Sequence, residues 1–233
     1  MTRLLCWNIR HGGGARTHAI ADAITGHQPD IVVLTEFRHN AFGASLHDHF
    51  AGMGLTHRRS GRIAAPANTV SIASRLPLTP LPGAGRLAEN AHRAVAVRCG
   101  GIRLAGFYFP NLTAKLPLLE FMVSLPRAYL KEPSLLVGDL NSGKKGIDGP
   151  DNFIFYGTEY IEELESQGWS DGFRHFHGQS REFTWYSHRA NGYRLDHAFS
   201  SPPMTARLNA VRYSHAEREA GISDHSILIV DFE

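Results

Sequence analysis

Residues 135–141, Leu135-Leu136-Val137-Gly138-Asp139-Leu140-Asn141, contain the pattern that decides the fold. Three consecutive apolar residues indicate a strand that is buried on both faces, and the glycine and the polar residue after it mark where the strand stops. Asp139 and Asn141 lie two positions apart, so an extended backbone directs both side chains to the same side. The first is an acceptor-only carboxylate and the second an amide that donates and accepts. The pair suits activating a water beside a phosphate oxygen, but it also suits a plain Asx turn.

Other apolar runs along the chain stop in the same way. Asn8, Glu36 and Tyr108 each stand where such a run ends, at residues 4–7, 31–34 and 102–107 respectively. Strand ends at one edge of a sheet converge in space, and a rigid scaffold places functional groups there. Glu36 alone is as consistent with a solvated strand end as with a ligand for a hard metal ion such as Mg²⁺. Together these positions predict one polar cleft at a sheet edge.

The remaining pattern predicts many strands and few helices. Further strands are predicted at residues 70–74, 94–98, 183–186, 195–199, 208–213 and 227–232, with Gly100-Gly101 as a hairpin turn. Helices are predicted at residues 17–25, 41–50, 116–130 and 159–166, the third being kinked or broken at Pro126. The helices are too few for a regular βαβ alternation. The pattern therefore predicts two packed, mixed sheets that are covered by helices.

Length and composition set outer limits. The chain has 233 residues with no compositional boundary, so we expect a single domain over residues 1–233. The net charge of +2 requires any nucleic-acid affinity to come from local basic patches. Cys6 and Cys99 stand in apolar runs and are expected to be free thiols. The absence of a long apolar run predicts no membrane span, and the absence of an export signal predicts a cytoplasmic location. A monomer without a stable protein partner is also expected.

Two further motifs carry residues suited to catalysis. Ser223-Asp224-His225 precedes the last predicted strand, and Arg194-Leu195-Asp196-His197 opens another. A histidine titrates near neutral pH, and an aspartate can bind a cation or fix the tautomer of an imidazole. Each motif alone is equally typical of a polar loop or of a hydrogen-bonded structural aspartate.

Taken together, the motifs resemble the exonuclease III-like branch (abasic-site endonucleases) of the endonuclease/exonuclease/phosphatase superfamily. The segments that carry the resemblance, in chain order, are CWNIRHGG, VVLTEF, NTVSIASRLPL, GFYFPN, LLVGDLNSG, GWSDGFR, FTWYSHRANGYRLDHAFSS and ISDHSILIVDF. They extend from Cys6 to Phe232. The resemblance implies a four-layer α/β sandwich with its site at one edge of the two sheets, and a phosphodiesterase that depends on Mg²⁺, for which Mn²⁺ can substitute.

The resemblance also implies roles for individual residues. Glu36 would be the main metal ligand, with Asn8 and Asp224 close to the metal or its waters. Asp139 would orient or deprotonate the attacking water, and Asn141 would hold the phosphate. Asp196 would pair with His225, which would contact the scissile phosphate. Tyr108 would hydrogen-bond a phosphate oxygen or aid the leaving group.

The expected substrate is DNA, with an abasic site or a 3′ end as the point of attack. In the repair branch, residues that match Trp185, Tyr193 and Leu195 form a pocket for a base-less sugar, although aromatic residues in strands are as often structural. Asn111, in the Tyr-Phe-Pro-Asn segment, is expected to contact the substrate. Arg10 departs from the family pattern, where aspartate or asparagine is common, and would either leave the metal with fewer ligands or supply an extra phosphate contact.

Basic clusters and alternative functions complete the predictions. Residues 57–62 and Lys144-Lys145 are expected in loops that could flank the cleft. One alternative is a phosphatase of the same superfamily that acts on a phosphoinositide, sphingomyelin or a small nucleotide. Another is an inactive binding module, which the complete set of catalytic residues disfavours. A zinc protein is disfavoured because only His47-x-His49 and His175-x-His177 suggest ligands and no cysteine pairs accompany them.

Overall fold

The computed structural model describes residues 1–82 and 84–233, and the side chains of all of these except 84–86. Its strands are β1 (Thr2–Asn8), β2 (Ile31–Phe37), β3 (His57–Ser60), β4 (Thr69–Ser74), β5 (Thr79–Pro80), β6 (Ala94–Cys99), β7 (Ile102–Tyr108), β8 (Ser134–Asp139), β9 (Ser170–Asp171), β10 (Trp185–Tyr186), β11 (Gly192–Tyr193), β12 (Asp196–Ser200), β13 (Leu208–Ser214) and β14 (Ile227–Phe232). The α-helices are α1 (Thr17–His27), α2 (Ala41–Gly52), α3 (Leu116–Val123), α4 (Ala128–Lys131), α5 (Thr158–Ser166), α6 (Gly172–His177), α7 (Pro202–Thr205) and α8 (Ala216–Glu219).

Two six-stranded sheets form the centre of the molecule. The first has the order β13-β14-β1-β2-β4-β3 and the second the order β5-β6-β7-β8-β12-β9, while β10 and β11 form a separate hairpin. Each sheet contains one parallel pair, β1 with β2 and β7 with β8, among antiparallel neighbours. The carboxyl ends of each parallel pair therefore meet at one edge of their sheet.

Alternation along the strands explains the continuous apolar runs. In β1, Leu4 and Cys6 face the second sheet, whereas Leu5 and Trp7 pack with Ile20 on α1. On the far side, the outer face of the second sheet packs against α3 and α5. The layers are thus helix, sheet, sheet and helix, and the predicted four-layer α/β sandwich of mixed sheets is confirmed.

Close approach of the two sheets depends on a glycine in β7. A Cβ atom on Gly106 would lie 2.9 Å from a methyl carbon of Val33 and 2.9 Å from one of Val70, both in the opposite sheet. Any side chain here would force the sheets apart at the middle of the core.

Several local predictions are confirmed and others are wrong. Cys99 pairs with Ile102 across Gly100 and Gly101, whose φ angles of 54° and 83° give the predicted two-residue hairpin turn. The helix predicted at 116–130 is broken into α3 and α4 around Pro126. Both cysteines are free. Within the described residues, no helix has the length and apolar character needed to cross a membrane.

The main errors concern exposed or short strands. Residues 57–60 form the edge strand β3 instead of a loop, because pairing with β4 satisfies the backbone although the side chains are polar. Only Trp185 and Tyr186 of the strand predicted at 183–186 are extended in a ladder, and β12 begins one residue later than predicted. A pattern of apolar residues does not detect β3, since its side chains are not buried.

Candidate active site

The ends of β1, β2, β7 and β8 lie together and place four polar side chains at one edge. Tyr108 and Asp139 are paired residues at the ends of β7 and β8. Asn8, the last residue of β1, donates from Nδ2 to Oε1 of Glu36 at 3.1 Å and to Oδ2 of Asp139 at 2.9 Å. Because Asp139 belongs to the other sheet, the amide of Asn8 ties the two sheets together at this edge.

Glu36 reaches the edge through an irregularity in β2. Its φ angle is +55°, and the pairing of β2 with β4 shifts register between Leu34 and Phe37. Positive φ is unfavourable for a residue with a side chain, and such strain concentrates at functional sites. Oε2 of the Glu36 carboxylate accepts hydrogen bonds from the backbone N–H of His11 at 2.7 Å and from Nδ2 of Asn68 at 3.0 Å. These contacts hold the carboxylate at the cleft.

Asp139 is buried and makes the Asx turn that the spacing of the motif allows. Its Oδ1 accepts the backbone N–H of Asn141 at 2.9 Å, and Asn141 Nδ2 donates to the carbonyl of Phe109 at 2.7 Å. Gly138 is required before it, because a Cβ there would lie 1.9 Å from the carbonyl oxygen of Phe107. Burial raises the pKa of the Asp139 carboxyl above its ordinary value.

His225 lies between two buried carboxylates. Its Nδ1 is 2.8 Å from Oδ2 of Asp196, and its Nε2 is 3.9 Å from Oδ2 of Asp139. Burial alone would lower the pKa of His225, but the charges of Asp196 and Asp139 outweigh it and raise the pKa. The 223–225 loop is fastened to β1, since Ser223 Oγ donates to the carbonyl of Asn8 at 2.6 Å. The arrangement holds the His225 imidazole, with its pKa raised, between Asp196 and Asp139.

A cleft of about 790 Å³ opens over this edge. Asn8 and Asp196 lie buried behind it, and Arg10 Nε lies 4.0 Å from Oδ2 of Asp224 at its rim. Trp185 Nε1 donates to Oδ2 of Asp224 at 3.3 Å. The other ten predicted site residues line it directly: Glu36, Tyr108, Asn111, Asp139, Asn141, Trp185, Tyr193, Leu195, Asp224 and His225.

The structure also brings residues to the cleft that the sequence did not indicate. His11 Nδ1 lies 3.0 Å from Oε2 of Glu36, and the Lys115 ammonium donates to the carbonyl of Asn141. Burial lowers the pKa of Lys115 to about 8 and raises that of Tyr108 to about 12. Lys115 belongs to no pattern that would single it out, and His11 lies in the CWNIRHGG segment without a role that the sequence assigns to it. Residues 153–156, Phe-Ile-Phe-Tyr, also line the cleft, and four large apolar residues in a loop were a usable signal.

The donor atoms are those of a hard-metal site. Within the described part of the chain, one group of three residues offers ligand atoms within 4.8 Å of one another, namely Asp139, Asp196 and His225. In this group both ring nitrogens of His225 already face carboxylate oxygens, so a metal ion here would have to displace a proton from the imidazole. The group includes neither of the two histidine pairs considered for zinc, and His47 Nε2 instead bonds Ser71 Oγ at 2.9 Å.

Comparison with known proteins identifies a family and several structures with a similar fold. A model of the Endonuclease/Exonuclease/phosphatase family matches residues 5–225. An AP endonuclease structure from Archaeoglobus fulgidus is similar with a TM-score of 0.86 at 20% identity, covering 100% of both chains. The 3′ phosphatase NExo from Neisseria bound to product DNA hairpin (TM-score 0.81, 21% identity) and the 3′-5′ exonuclease NExo from Neisseria meningitidis (0.80, 22%) also cover 100% of both chains. At these identities the likeness establishes a shared fold. No curated protein matches the sequence.

Proposed function

The chain belongs to the endonuclease/exonuclease/phosphatase family, and from this premise we propose that it is a Mg²⁺-dependent DNA nuclease. The proposed reaction is hydrolysis of a phosphodiester by an activated water, at an abasic site or at a 3′ end. The proposal takes residues 1–233 to act as one domain and as a monomer in the cytoplasm, with DNA as the partner.

One observation carries the proposal. Glu36, Asp139 and His225 come from distant parts of the sequence, yet all three lie at the same edge of the two sheets and line one cleft. A phosphodiester hydrolase needs a base for water and cationic or donor groups for the charge that builds on phosphate oxygens. The cleft contains both kinds of group within one hydrogen-bonded frame.

The charges of the cleft fit a divalent cation. Glu36 and Asp224 are carboxylates that stay partly exposed to the cleft, and their oxygens are the donors that Mg²⁺ prefers. Asn8 turns its Nδ2 toward the carboxylates while its Oδ1 accepts the N–H of Arg10 at 2.9 Å, so it positions Glu36 and would act on the cation through that carboxylate or through water. Glu36 and Asp224 would therefore hold Mg²⁺, and Mn²⁺ can substitute because the same oxygen ligands suit it. When bound, the cation would supply Lewis-acid polarisation of a phosphoryl oxygen.

The residues of the chain would divide the proton transfers between them. Asp139, whose pKa is raised by burial, would accept a proton from the attacking water, and the new P–O bond would form as the bond to the leaving sugar oxygen breaks. Asn141 would hold a phosphate oxygen. His225, kept protonated by Asp196, would donate to a non-bridging oxygen. Tyr108 is a protonated phenol at neutral pH, its pKa being raised by burial to about 12, and it would donate to the leaving group or to the phosphate.

The rim of the cleft would bind the DNA. Arg10 and Asn111 would contact phosphates, while Trp185, Tyr193 and Leu195 would enclose the sugar next to the scissile bond. The rings of Trp185 and Tyr193 lie 5.8 Å apart, and Trp185 also donates to Asp224, so these rings lie beside the charged groups of the cleft.

Cleavage of three labelled duplexes tests the proposal. One carries an abasic-site analogue, one is intact with a recessed 3′ end, and one is blunt and undamaged. Each is incubated with Mg²⁺, Mn²⁺ or EDTA. We expect incision at the abasic site or trimming of the 3′ end with either metal and none with EDTA. Wild-type protein that cleaves none of these duplexes, nor their single strands, with either metal would contradict the proposal.

A further inference from the structure

The cleft has a second, apolar wall that catalysis of phosphate transfer does not require. Four of the nine exposed large apolar side chains in the described part of the chain line this one cleft: Leu112, Phe153, Ile154 and Tyr156. Phe153 is 40% exposed and Tyr156 is 53% exposed. A cluster of exposed apolar side chains in a cleft marks a binding surface, since it is costly to keep in water. We call residues 153–156 together with Tyr193 the aromatic shelf.

Ring packing makes the shelf a fixed surface. Phe153 packs edge-on against Phe155 and Tyr193, with ring centroids 4.9 Å apart in both pairs. Phe155 is buried, and its ring also meets that of Tyr193 edge-on at 6.1 Å. A Cβ on Gly149 would lie 3.1 Å from Phe155 and 3.2 Å from Tyr193, so the chain passes tightly beneath these rings. The exposed ring of Phe153 is therefore supported by the buried ring of Phe155 and the half-buried ring of Tyr193.

The shelf is also held in register with the catalytic groups. Ser142, the residue after Asn141, donates from Oγ to the carbonyl of Tyr156 at 3.0 Å. At the other end, the Phe153 N–H donates to the carbonyl of Pro150 at 2.9 Å, and Arg181 binds Asp151 at 2.7 Å. A ligand on the shelf would consequently stand at a set distance from the phosphate that Asn141 holds.

The chemistry of the shelf identifies its occupant. A group that lies flat on several rings and is joined to a phosphate is a nucleobase of the strand being cut, because stacking on aromatic side chains is how proteins bind bases without reading their sequence. In a duplex, both faces of each base are covered by neighbouring pairs, so a base must be unpaired to reach such a surface. A base-less sugar, in contrast, would need only the wall of Trp185, Tyr193 and Leu195. The cleft volume of about 790 Å³ lies within the usual range of about 300–1,000 Å³ for whole ligands.

We propose that the nucleotide beside the scissile phosphate binds unpaired, with its base stacked on the aromatic shelf, so that single strands and frayed 3′ ends are the favoured substrates. The inference rests on the proposed nuclease function and narrows it. The preferred substrate would carry a base at this position. An abasic nucleotide has no base and would gain no binding energy from the shelf.

Two single-stranded oligonucleotides test the inference. They differ only at the 3′-terminal nucleotide, which carries an adenine in one and is a tetrahydrofuran abasic analogue in the other. Wild type is compared with Phe153→Ala/Tyr156→Ala, and with Phe176→Ala, which removes a ring that is 39% exposed on α6, outside the cleft. For the double variant we expect kcat/KM to fall about ten- to hundredfold on the strand with the base and less than about twofold on the abasic strand. Phe176→Ala should match wild type on both.

A binding measurement separates this inference from the nuclease function itself. In EDTA, the fluorescence of 2-aminopurine at the 3′ terminus is titrated with each protein, and the double variant should bind at least about tenfold more weakly than wild type and Phe176→Ala. Equal losses on the base-bearing and abasic strands, or no loss in either assay, would overturn the shelf as a base-binding surface. If wild type cleaved no DNA, the nuclease proposal would fail, whereas this titration would still decide whether the shelf binds a base. Thermal unfolding of each variant verifies that the fold is retained.

Discussion

The carboxylates of the cleft differ from a buried arginine cluster next to them in how far their charges are compensated. The arginine cluster consists of Arg194, Asp148 and Asp171, with side chains that are 0–1% exposed. The Arg194 guanidinium binds Asp148 through Nε at 2.7 Å and Nη2 at 3.1 Å, and Asp171 through Nη2 at 2.6 Å and Nη1 at 3.2 Å. Arg174 adds a second cation on Asp148. Every charge in this cluster faces an opposite charge.

The cleft carboxylates, defined as Glu36, Asp139, Asp196 and Asp224, are compensated less completely. His225 lies against both Asp139 and Asp196. Asp224 has a weaker partner, because Arg10 Nε is as far as 4.0 Å away and the Arg10 side chain is 55% exposed. One oxygen of Asp196 is buried without a hydrogen-bond partner among the described residues. Burial raises the pKa of Asp139, whereas in the arginine cluster burial would raise the pKa of Asp171 but Arg194 outweighs it and lowers it.

This difference distinguishes buried charges that stabilise the fold from buried charges that belong to a functional site. A buried ion pair that is saturated with hydrogen bonds holds the fold, and removing one partner leaves a charge without compensation. A group of carboxylates with excess negative charge lowers the stability of the fold, and such groups are typical of sites that bind a cation and a substrate. Substitutions in the two regions should therefore affect different properties of the protein.

The largest expected effect is on catalysis. Asp139→Asn removes the proposed base, and we expect kcat/KM on DNA to fall by about 10³–10⁴-fold, or ~4–5.5 kcal/mol of transition-state stabilisation. The free energy of unfolding should not decrease, because a carboxylate in excess has been neutralised. Steady-state kinetics and urea unfolding measure the two quantities. Glu162→Gln, an exposed carboxylate on α5, is the control and should retain both. Near-normal turnover of Asp139→Asn would remove Asp139 from the mechanism.

The arginine cluster should show the converse. Arg194→Met leaves Asp148 and Asp171 buried without their main cation, and we expect the free energy of unfolding to decrease by about 3–5 kcal/mol. Urea denaturation measures the change, and the exposed Arg127→Met serves as the matched control with an expected change below about 0.5 kcal/mol. A loss in Arg194→Met no greater than that of the control would show that the cluster does not hold the fold.

Metal ions should stabilise only through the cleft. We expect Mg²⁺ at a hundred times its Kd to raise the free energy of unfolding of wild type by ~2.7 kcal/mol, because the ion binds the folded state alone. Glu36→Gln should lose most of this gain, and Glu162→Gln should retain it. Thermal unfolding with Mg²⁺ and with EDTA is the measurement. Equal stabilisation of wild type and Glu36→Gln would place the cation elsewhere.

The two regions should also respond to pH with opposite signs. The pKa of Asp171 is lowered in the folded state, so its contribution to stability is present above its unfolded pKa near 3.8 and is lost as the pH falls through the folded value. The pKa of Asp139 is raised, so it lowers stability as the pH rises above 3.8. We expect Asp171→Asn to remove about 1 kcal/mol of the acid-dependent loss between pH 7 and pH 3, because only the interval below the unfolded pKa near 3.8 contributes.

Urea unfolding at a series of pH values measures this, with Asp139→Asn for comparison. Asp139→Asn should instead gain stability relative to wild type toward neutral pH. If both variants shifted the pH profile in the same direction, the distinction between compensated and excess carboxylates would be lost.

Much of this organisation was readable in the sequence because strand ends leave a signal. The apolar runs that stop at Asn8, Glu36 and Asp139 predicted both the layered fold and the edge where these residues meet. The arginine cluster left no comparable signal. Arg194 lies 46 residues from Asp148 and 23 from Asp171, and charged residues ordinarily occupy the surface.

Local backbone geometry accounts for other features that the sequence did not predict. The positive φ of Glu36 depends on a register shift between β2 and β4, which is a property of the assembled sheet. The polar edge strand β3 has no buried face, so no alternation of apolar residues marks it.

The smallest expected effect concerns Tyr213, the residue that touches both regions. Its hydroxyl donates to the carbonyl of Asp196 at 2.7 Å and accepts from Nη1 of Arg194 at 3.5 Å. Tyr213→Phe removes one short hydrogen bond and one long, weak one, so we expect the free energy of unfolding to decrease by about 0.5–1.5 kcal/mol. Because the bond is made to the backbone of Asp196 and not to its carboxylate, kcat/KM should fall less than about threefold. Kinetics and urea unfolding of Tyr213→Phe, Arg194→Met and the double variant measure the coupling. A loss of activity in Tyr213→Phe approaching that of Asp139→Asn would mean that the arginine cluster positions the catalytic pair, and the two regions would then have to be treated as one.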